Sequence, residues 1–167
     1  MKRKFSGTLF FCLLLGSFLG LGKDLDAGVM TTPPCAFHPN YPELNTSWYA
    51  DDTRLYVGYG TPPVEFFAPL SLPNGVTLKR FTAFITMKLS EIIEVSLCRV
   101  DLITGVRTEM AHLSSVPMNP SDNRQVLSTS SITSKVVNNN KYCYCLRVIF
   151  EMDADQNIEF NGAKISY

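Results

Sequence analysis

The residues best equipped for chemistry in this chain are its cysteines, its two histidines and its clustered carboxylates. Cys35-Ala36-Phe37-His38 places a thiol and an imidazole three residues apart, and Cys143-Tyr144-Cys145 adds two more thiols. Together they number four, as a structural zinc site requires. The second pair, however, is only two residues apart, which does not suit a zinc knuckle. Asp153-Ala154-Asp155-Gln156-Asn157 puts oxygens at alternate positions, as calcium loops do. It lacks the glycine and the distant glutamate of an EF-hand, and a polar hairpin loop needs the same residues simply to turn.

Catalytic signatures are sparse. There is no G-x-S-x-G elbow and no H-E-x-x-H. His38 precedes a proline, His112 falls in an expected strand, and Asp51 and Asp52 are adjacent, so their side chains diverge in extended chain. No catalytic residue, metal or cofactor is assigned on this basis. Aromatic residues give a stronger signal. Trp48, Tyr49, Tyr56 and Tyr59, with Phe66 and Phe67, crowd one stretch. Two readings stand: a surface that stacks on sugar rings or anchors a partner, or a cap on one end of a core.

The first 22 residues read as a signal peptide. Lys2, Arg3 and Lys4 precede an apolar run from Leu9 to Leu21, closed by the small residues of Gly20-Leu21-Gly22. The expected location is therefore secreted or periplasmic, with no membrane span after signal removal. Removal takes three of the 15 basic residues against 15 acidic ones. No basic block survives, and this argues against nucleic acid as a partner. Removal also takes Cys12 and leaves Cys35, Cys98, Cys143 and Cys145, an even set that in an exported chain invites disulfides. Three full pairings exist. Cys143 and Cys145 point the same way along a strand, so joining them would bend it, and Cys98 lies in another apolar strand as a candidate neighbour. Free, buried cysteines acting as small hydrophobes are the other reading.

The elements that must position these groups are strands. Residues 23–52 carry Pro33-Pro34, Pro39 and Pro42, which break ladders, so an irregular N-terminal arm lying over the domain is expected. From residue 53 onward, eight runs with period-two or β-branched character span 54–59, 64–72, 76–87, 92–100, 106–113, 125–133, 142–152 and 158–167. Turn signals separate them, among them Leu72-Pro73-Asn74-Gly75 and Asp101-Leu102-Ile103-Thr104-Gly105. In 142–152, Tyr142, Tyr144, Leu146, Val148 and Phe150 share the inner face; Cys143, Cys145, Arg147 and Ile149 share the other. Val95 and Leu97 should meet the same core, with Arg99 near its edge. An all-β fold follows: one antiparallel β-sandwich of about eight strands with a jelly-roll connection, or an open barrel as second choice.

Leu72-Pro73-x-Gly75, Leu97-x-Arg99, Asn138-Asn139, Tyr142-x-Tyr144 and Gly162-Ala163-x-Ile165-x-Tyr167 occur in an order that resembles a loosely defined set of uncharacterised secreted bacterial β-sandwich domains. The match covers about residues 64–167, with Asn138 where the set often has aspartate. The resemblance implies an exported β-sandwich and no particular activity. Two function classes follow: a non-catalytic envelope or extracellular module that binds a glycan, a protein or another copy of itself, and a secreted hydrolase or metal-dependent enzyme built on a sandwich.

Overall fold

The computed structural model describes residues 28–40, 47–59, 63–87, 92–115, 124–151 and 158–167. The first 22 residues, read above as a signal peptide, and Asp153–Asn157, weighed above as calcium ligands, lie outside them. Eleven strands and one 3-10 turn make up the described chain: β1 Val29–Thr32, the turn Pro34–Ala36, β2 His38–Pro39, β3 Ser47–Ala50, β4 Leu55–Tyr59, β5 Val64–Leu70, β6 Arg80–Met87, β7 Ile92–Asp101, β8 Arg107–Ser114, β9 Arg124–Thr129, β10 Tyr142–Glu151 and β11 Ile158–Ser166.

They form two antiparallel sheets packed face to face. Sheet A runs β3-β4-β11-β6-β9, with β1 on the same edge of β11 as β4, one beyond the other. Sheet B runs β2-β5-β10-β7-β8. From β4 to β11 the chain changes sheet at every connection except the β7–β8 hairpin, the jelly-roll habit. That hairpin turns as its sequence predicts. Asp101 Oδ1 accepts the amides of Ile103 and Thr104 at 3.0 and 2.9 Å, and Gly105 takes the positive φ of 70° that closes the loop.

The alternation in β10 sets the core. Tyr144, Leu146, Val148 and Phe150 are buried between the sheets, with Val95 and Leu97 opposite Val148 and Leu146 in β7. Phe66 meets Phe150 edge-on at 5.7 Å, and Phe37 meets Phe160 at 5.0 Å. Arg99 sits at the core's margin, its guanidinium 4.3 Å from the centre of the Tyr142 ring.

Three differences from expectation have local causes. The arm is not irregular throughout: β1, β2 and β3 lie within it and extend both sheets. All three sit at sheet margins, where a missing proline amide costs no ladder bond, and Pro33-Pro34 falls in the bend between β1 and β2. These strands raise the expected eight to eleven. The run expected from Val76 starts only at Arg80. Before it, Thr77 makes a lone bridge to Val136, and Gly75 N donates to Val137 O at 2.8 Å, so this segment folds across the end of the sandwich and buries Val76 and Leu78. The run expected to reach Thr133 stops at Thr129, because the chain then turns Ile132 inward.

Candidate functional site

The outer face of sheet A carries a cleft of about 660 Å³. Its floor is a row of side chains from β6, β11 and β9. One wall is the β3–β4 turn, Asp51 to Arg54; the other is formed by Arg124 and Val126 of β9. Four neighbouring strands about 4.8 Å apart give it a span of roughly 14 Å.

The turn is built by its aspartate. Asp51 Oδ1 accepts hydrogen bonds from Thr53 Oγ1 and Thr53 N, both at 2.7 Å, and from Arg54 N at 2.9 Å. The Thr53 bonds hold the Asp51 carboxyl below the usual carboxylate range, because they favour its charged form. Arg54 leaves the turn toward the sheet. Its Nη1 donates to Glu159 Oε1 at 3.1 Å, and this keeps the guanidinium protonated and in place. The same guanidinium lies 5.2 Å from the Tyr56 ring centre and 6.0 Å from that of Tyr49.

Asn161 reaches the cleft through a β-bulge. Phe160 pairs with Ile85 and Gly162 with Phe84, so Asn161 is the extra residue of β11. Its Oδ1 accepts Thr86 Oγ1 at 2.7 Å and its Nδ2 donates to Thr53 O at 3.2 Å. Gly162 makes the bulge feasible. Its φ is 122°, and a Cβ there would come within 2.9 Å of Thr32 O. Phe84 alternates with buried Ala83 and Ile85, so its half-exposed ring lies on the floor of the cleft, opposite Val126 of β9. Among the described residues Arg124 has no ion-pair partner.

The four aromatics singled out in the sequence do not form one patch. Tyr49 and Tyr56 are cross-strand partners on the outer face, ring centres 5.5 Å apart and tilted by 37°. Trp48 pairs with buried Val57 and so faces the other way. Its ring meets Phe66 edge-on at 5.8 Å while remaining 41% exposed at the sandwich edge. Trp48 and Tyr49 thus lie on opposite faces, as period two requires of neighbours in one strand. Tyr59 pairs with Ser47 through its backbone, and its side chain lies outside the described residues. Phe66 is core, and Phe67 lies on the outer face of sheet B beneath the Arg107 guanidinium at 4.8 Å. Phe84, Arg54, Glu159 and Asn161 were not singled out. Phe84 did carry a signal, an aromatic in the polar phase of Thr82-Ala83-Phe84-Ile85-Thr86.

The other candidates resolve separately. All four cysteines in the described chain are free thiols: Cys35 and Cys143 exposed, Cys98 buried, Cys145 between. No disulfide joins them in this structure: Cys35 lies in the 3-10 turn of the arm, Cys143 faces Val100, and Cys98 and Cys145 face each other as free thiols. Among the described residues no three His, Cys, Asp or Glu side chains converge as metal ligands would. His112 Nδ1 lies 3.3 Å from Ser96 Oγ and 3.6 Å from Glu109 Oε2, while Ser96 Oγ itself donates to Glu109 at 2.6 Å. Serine and carboxylate share one ring nitrogen, whereas a triad sets them on opposite nitrogens.

No family model and no curated protein matches the sequence. Solved structures do match the fold. The CBM22-1–GH10 modules of endo-1,4-β-D-xylanase 10B from Clostridium thermocellum, complexed with xylohexaose, align over 86% of this chain with a TM-score of 0.53 and 12% identity. The chain spans 29% of that protein's length. The xylan-binding module CBM15 aligns over 84% of this chain and 96% of its own, with a TM-score of 0.51 and 10% identity. Among the described residues no helix is long and apolar enough to cross a membrane. What this chain shares with the xylan-binding module is the antiparallel sandwich of two sheets.

Proposed function

We propose that this chain is a non-catalytic glycan-binding module of an exported protein, and that the saccharide lies in the cleft on the outer face of sheet A. One observation carries the reading. A half-exposed Phe84 ring forms the floor of an open cleft whose polar groups, Arg54, Glu159 and Asn161, are already held in position by bonds to one another and to the sheet. A sugar ring presents an apolar face and a rim of hydroxyls, so it needs both an aromatic floor and fixed, planar hydrogen-bonding groups. Tyr49 and Tyr56 continue the aromatic surface beyond Arg54, lengthening it for a chain of several sugars. The shared fold with a xylan-binding module makes xylan the first ligand to try.

Export is part of the same reading. It is supported by the basic and apolar pattern of the first 22 residues and by the resemblance to secreted bacterial domains. A hydrolase on this surface would need a carboxylic acid kept protonated near neutral pH. The two described carboxylates of the cleft are unsuited to that role: Asp51 is held ionised by Thr53 and Arg54, and Glu159 is paired with Arg54.

The test is binding to a panel of soluble and insoluble polysaccharides, xylan included, by depletion assay and titration calorimetry. Phe84→Ala should weaken binding about tenfold or more, equal to ~1.4 kcal/mol. Ile103→Ala, in the β7–β8 loop and 90% exposed, should leave it unchanged. Absence of binding to every polysaccharide, or equal affinity for wild type and a folded Phe84→Ala, would overturn the proposal.

A further inference from the structure

The outer face of sheet B holds a constellation that glycan binding does not use. In the β7–β10 ladder Cys98 stands directly opposite Cys145, and Arg147 opposite Ser96. Both sulfurs lie on the side away from the core leucines Leu97 and Leu146. Cys98 is 2% exposed and Cys145 is half-buried, so only one of the pair is readily reached from solvent. The two thiols face each other across the ladder, and the charge of Arg107 acts on both. Arg107 is itself anchored, 3.6 Å from Glu65 and stacked on Phe67. Two residues along on the same face, exposed Cys143 donates to Val100 O at 3.8 Å.

Register decides which cysteines can join. Residues directly opposed across an antiparallel pair have Cα atoms about 4.5 or 5.5 Å apart, depending on the type of pair. Both distances fall within the roughly 4.4–6.8 Å that a disulfide spans. Cys143 and Cys145, two residues apart in one strand, are separated by about 6.6 Å with parallel side-chain directions, and this disfavours a bond.

We propose that Cys98 and Cys145 are a reactive dithiol that closes into a cross-strand disulfide by exchange with a small disulfide or a thiol–disulfide oxidoreductase, with Cys145 as the attacking sulfur and Cys98 as the resolving one. The Cys145 thiolate attacks one sulfur of R–S–S–R, the S–S bond breaks and RS⁻ leaves, giving a mixed disulfide at Cys145. Cys98 then loses its proton to solvent and attacks the Cys145 sulfur, expelling the second RS⁻. Two protein thiols are oxidised by two electrons, and R–S–S–R is reduced to two RSH. The order of attack follows from burial and from acidity. The hydrogen bond from Cys98 pulls the Cys145 thiol below the ordinary cysteine range, with Arg107 acting in the same direction. The same bond, with burial, pushes Cys98 up.

The experiment exposes the reduced full chain to glutathione disulfide, quenches in acid, alkylates the remaining thiols and maps each cysteine peptide by mass spectrometry. A peptide pair joined through Cys98 and Cys145 and two hydrogens lighter is expected, in wild type and in Cys143→Ser alike. Cys98→Ser should stop at a glutathione adduct on Cys145, and Cys145→Ser should leave Cys98 reduced. A bond to Cys143 in place of Cys98, a glutathione adduct persisting on Cys145 in wild type, or alkylation of both Cys98 and Cys145 would each overturn the proposal. Should either serine variant fail to fold, the wild-type and Cys143→Ser maps decide alone.

Discussion

Leu146→Ala tests the facing of the central strand against its neighbour Arg147→Ala. Leu146 is fully buried in β10, flanked by Leu97 of β7 and Ala68 of β5. The substitution removes three carbons from the core, worth about 0.8 kcal/mol each in transfer. Strands hydrogen-bonded on both sides of β10 limit collapse into the space, so a cavity term brings the total to ~3–4 kcal/mol. Arg147 points the other way and donates through Nε to Glu65. Without it, Glu65 keeps the Asn40 amide at 2.6 Å and Arg107 at 3.6 Å. The loss should therefore stay near 1 kcal/mol, the scale of a partly exposed ion pair. At roughly 3–4 °C per kcal/mol for a domain of this size, Leu146→Ala should lower Tm by about 10–15 °C and Arg147→Ala by about 4 °C. Urea melts of both variants supply the free energies directly. Equal losses, or the reverse ranking, would refute the register, because a one-residue slip exchanges the whole set of faces.

Two further outcomes follow from the site's supports. Gly162→Ala should destabilise the fold by ~2 kcal/mol or more in urea melts, since a side chain there is strained at φ 122° and meets Thr32 O at 2.9 Å. Asp51 and Asp101 both have carboxyls held below their unperturbed 3.8 by bonds to their own turns, so each contributes stability that is fully present above that value and is lost as pH falls through the lower folded-state value. Melts repeated from pH 6 down to pH 2 should show acid sensitivity that weakens in the double variant Asp51→Ala, Asp101→Ala; an unchanged acid slope would contradict those bonds.

The sandwich was legible because its information is local. All eight runs read from residue 53 onward recur as β4 to β11, and the inward set of β10 recurs with Tyr144, Leu146, Val148 and Phe150 buried and Tyr142 half-buried against the core, because period two and turn residues are properties of short segments. The arm was less legible. Pro33, Pro34 and Pro39 signal breaks, but a proline at a sheet margin costs nothing, and whether a segment lies at a margin depends on partners far along the chain. The cleft was least legible for the same reason. Arg54 meets Glu159 across 105 residues, and Asn161 enters only because a bulge inserts it. The aromatic stretch near Trp48 lies in sheet A, yet alternation sends Trp48 and Tyr49 to opposite faces and leaves Phe84, 35 positions from Tyr49, as the floor of the cleft.

The two outer faces also differ in how their aromatic rings are covered, and this supports the proposal that a saccharide would lie on sheet A. On sheet B, Arg147, Arg107 and Asn40 all converge on Glu65, while Ser96 and His112 converge on Glu109. These groups are bonded to one another much as Arg54 and Glu159 are, but the aromatic ring among them, Phe67, lies under the Arg107 guanidinium. On sheet A the fixed groups stand beside an open ring, and Arg124 keeps its donors unpaired among the described residues. A ligand arriving there gains contacts without displacing protein ones, and the ordering of Arg54, Glu159 and Asn161 has already been met by folding. In the proposed binding mode, preorganisation of that kind would let a shallow open surface hold a flexible chain, with the thiol pair Cys98 and Cys145 on the opposite sheet.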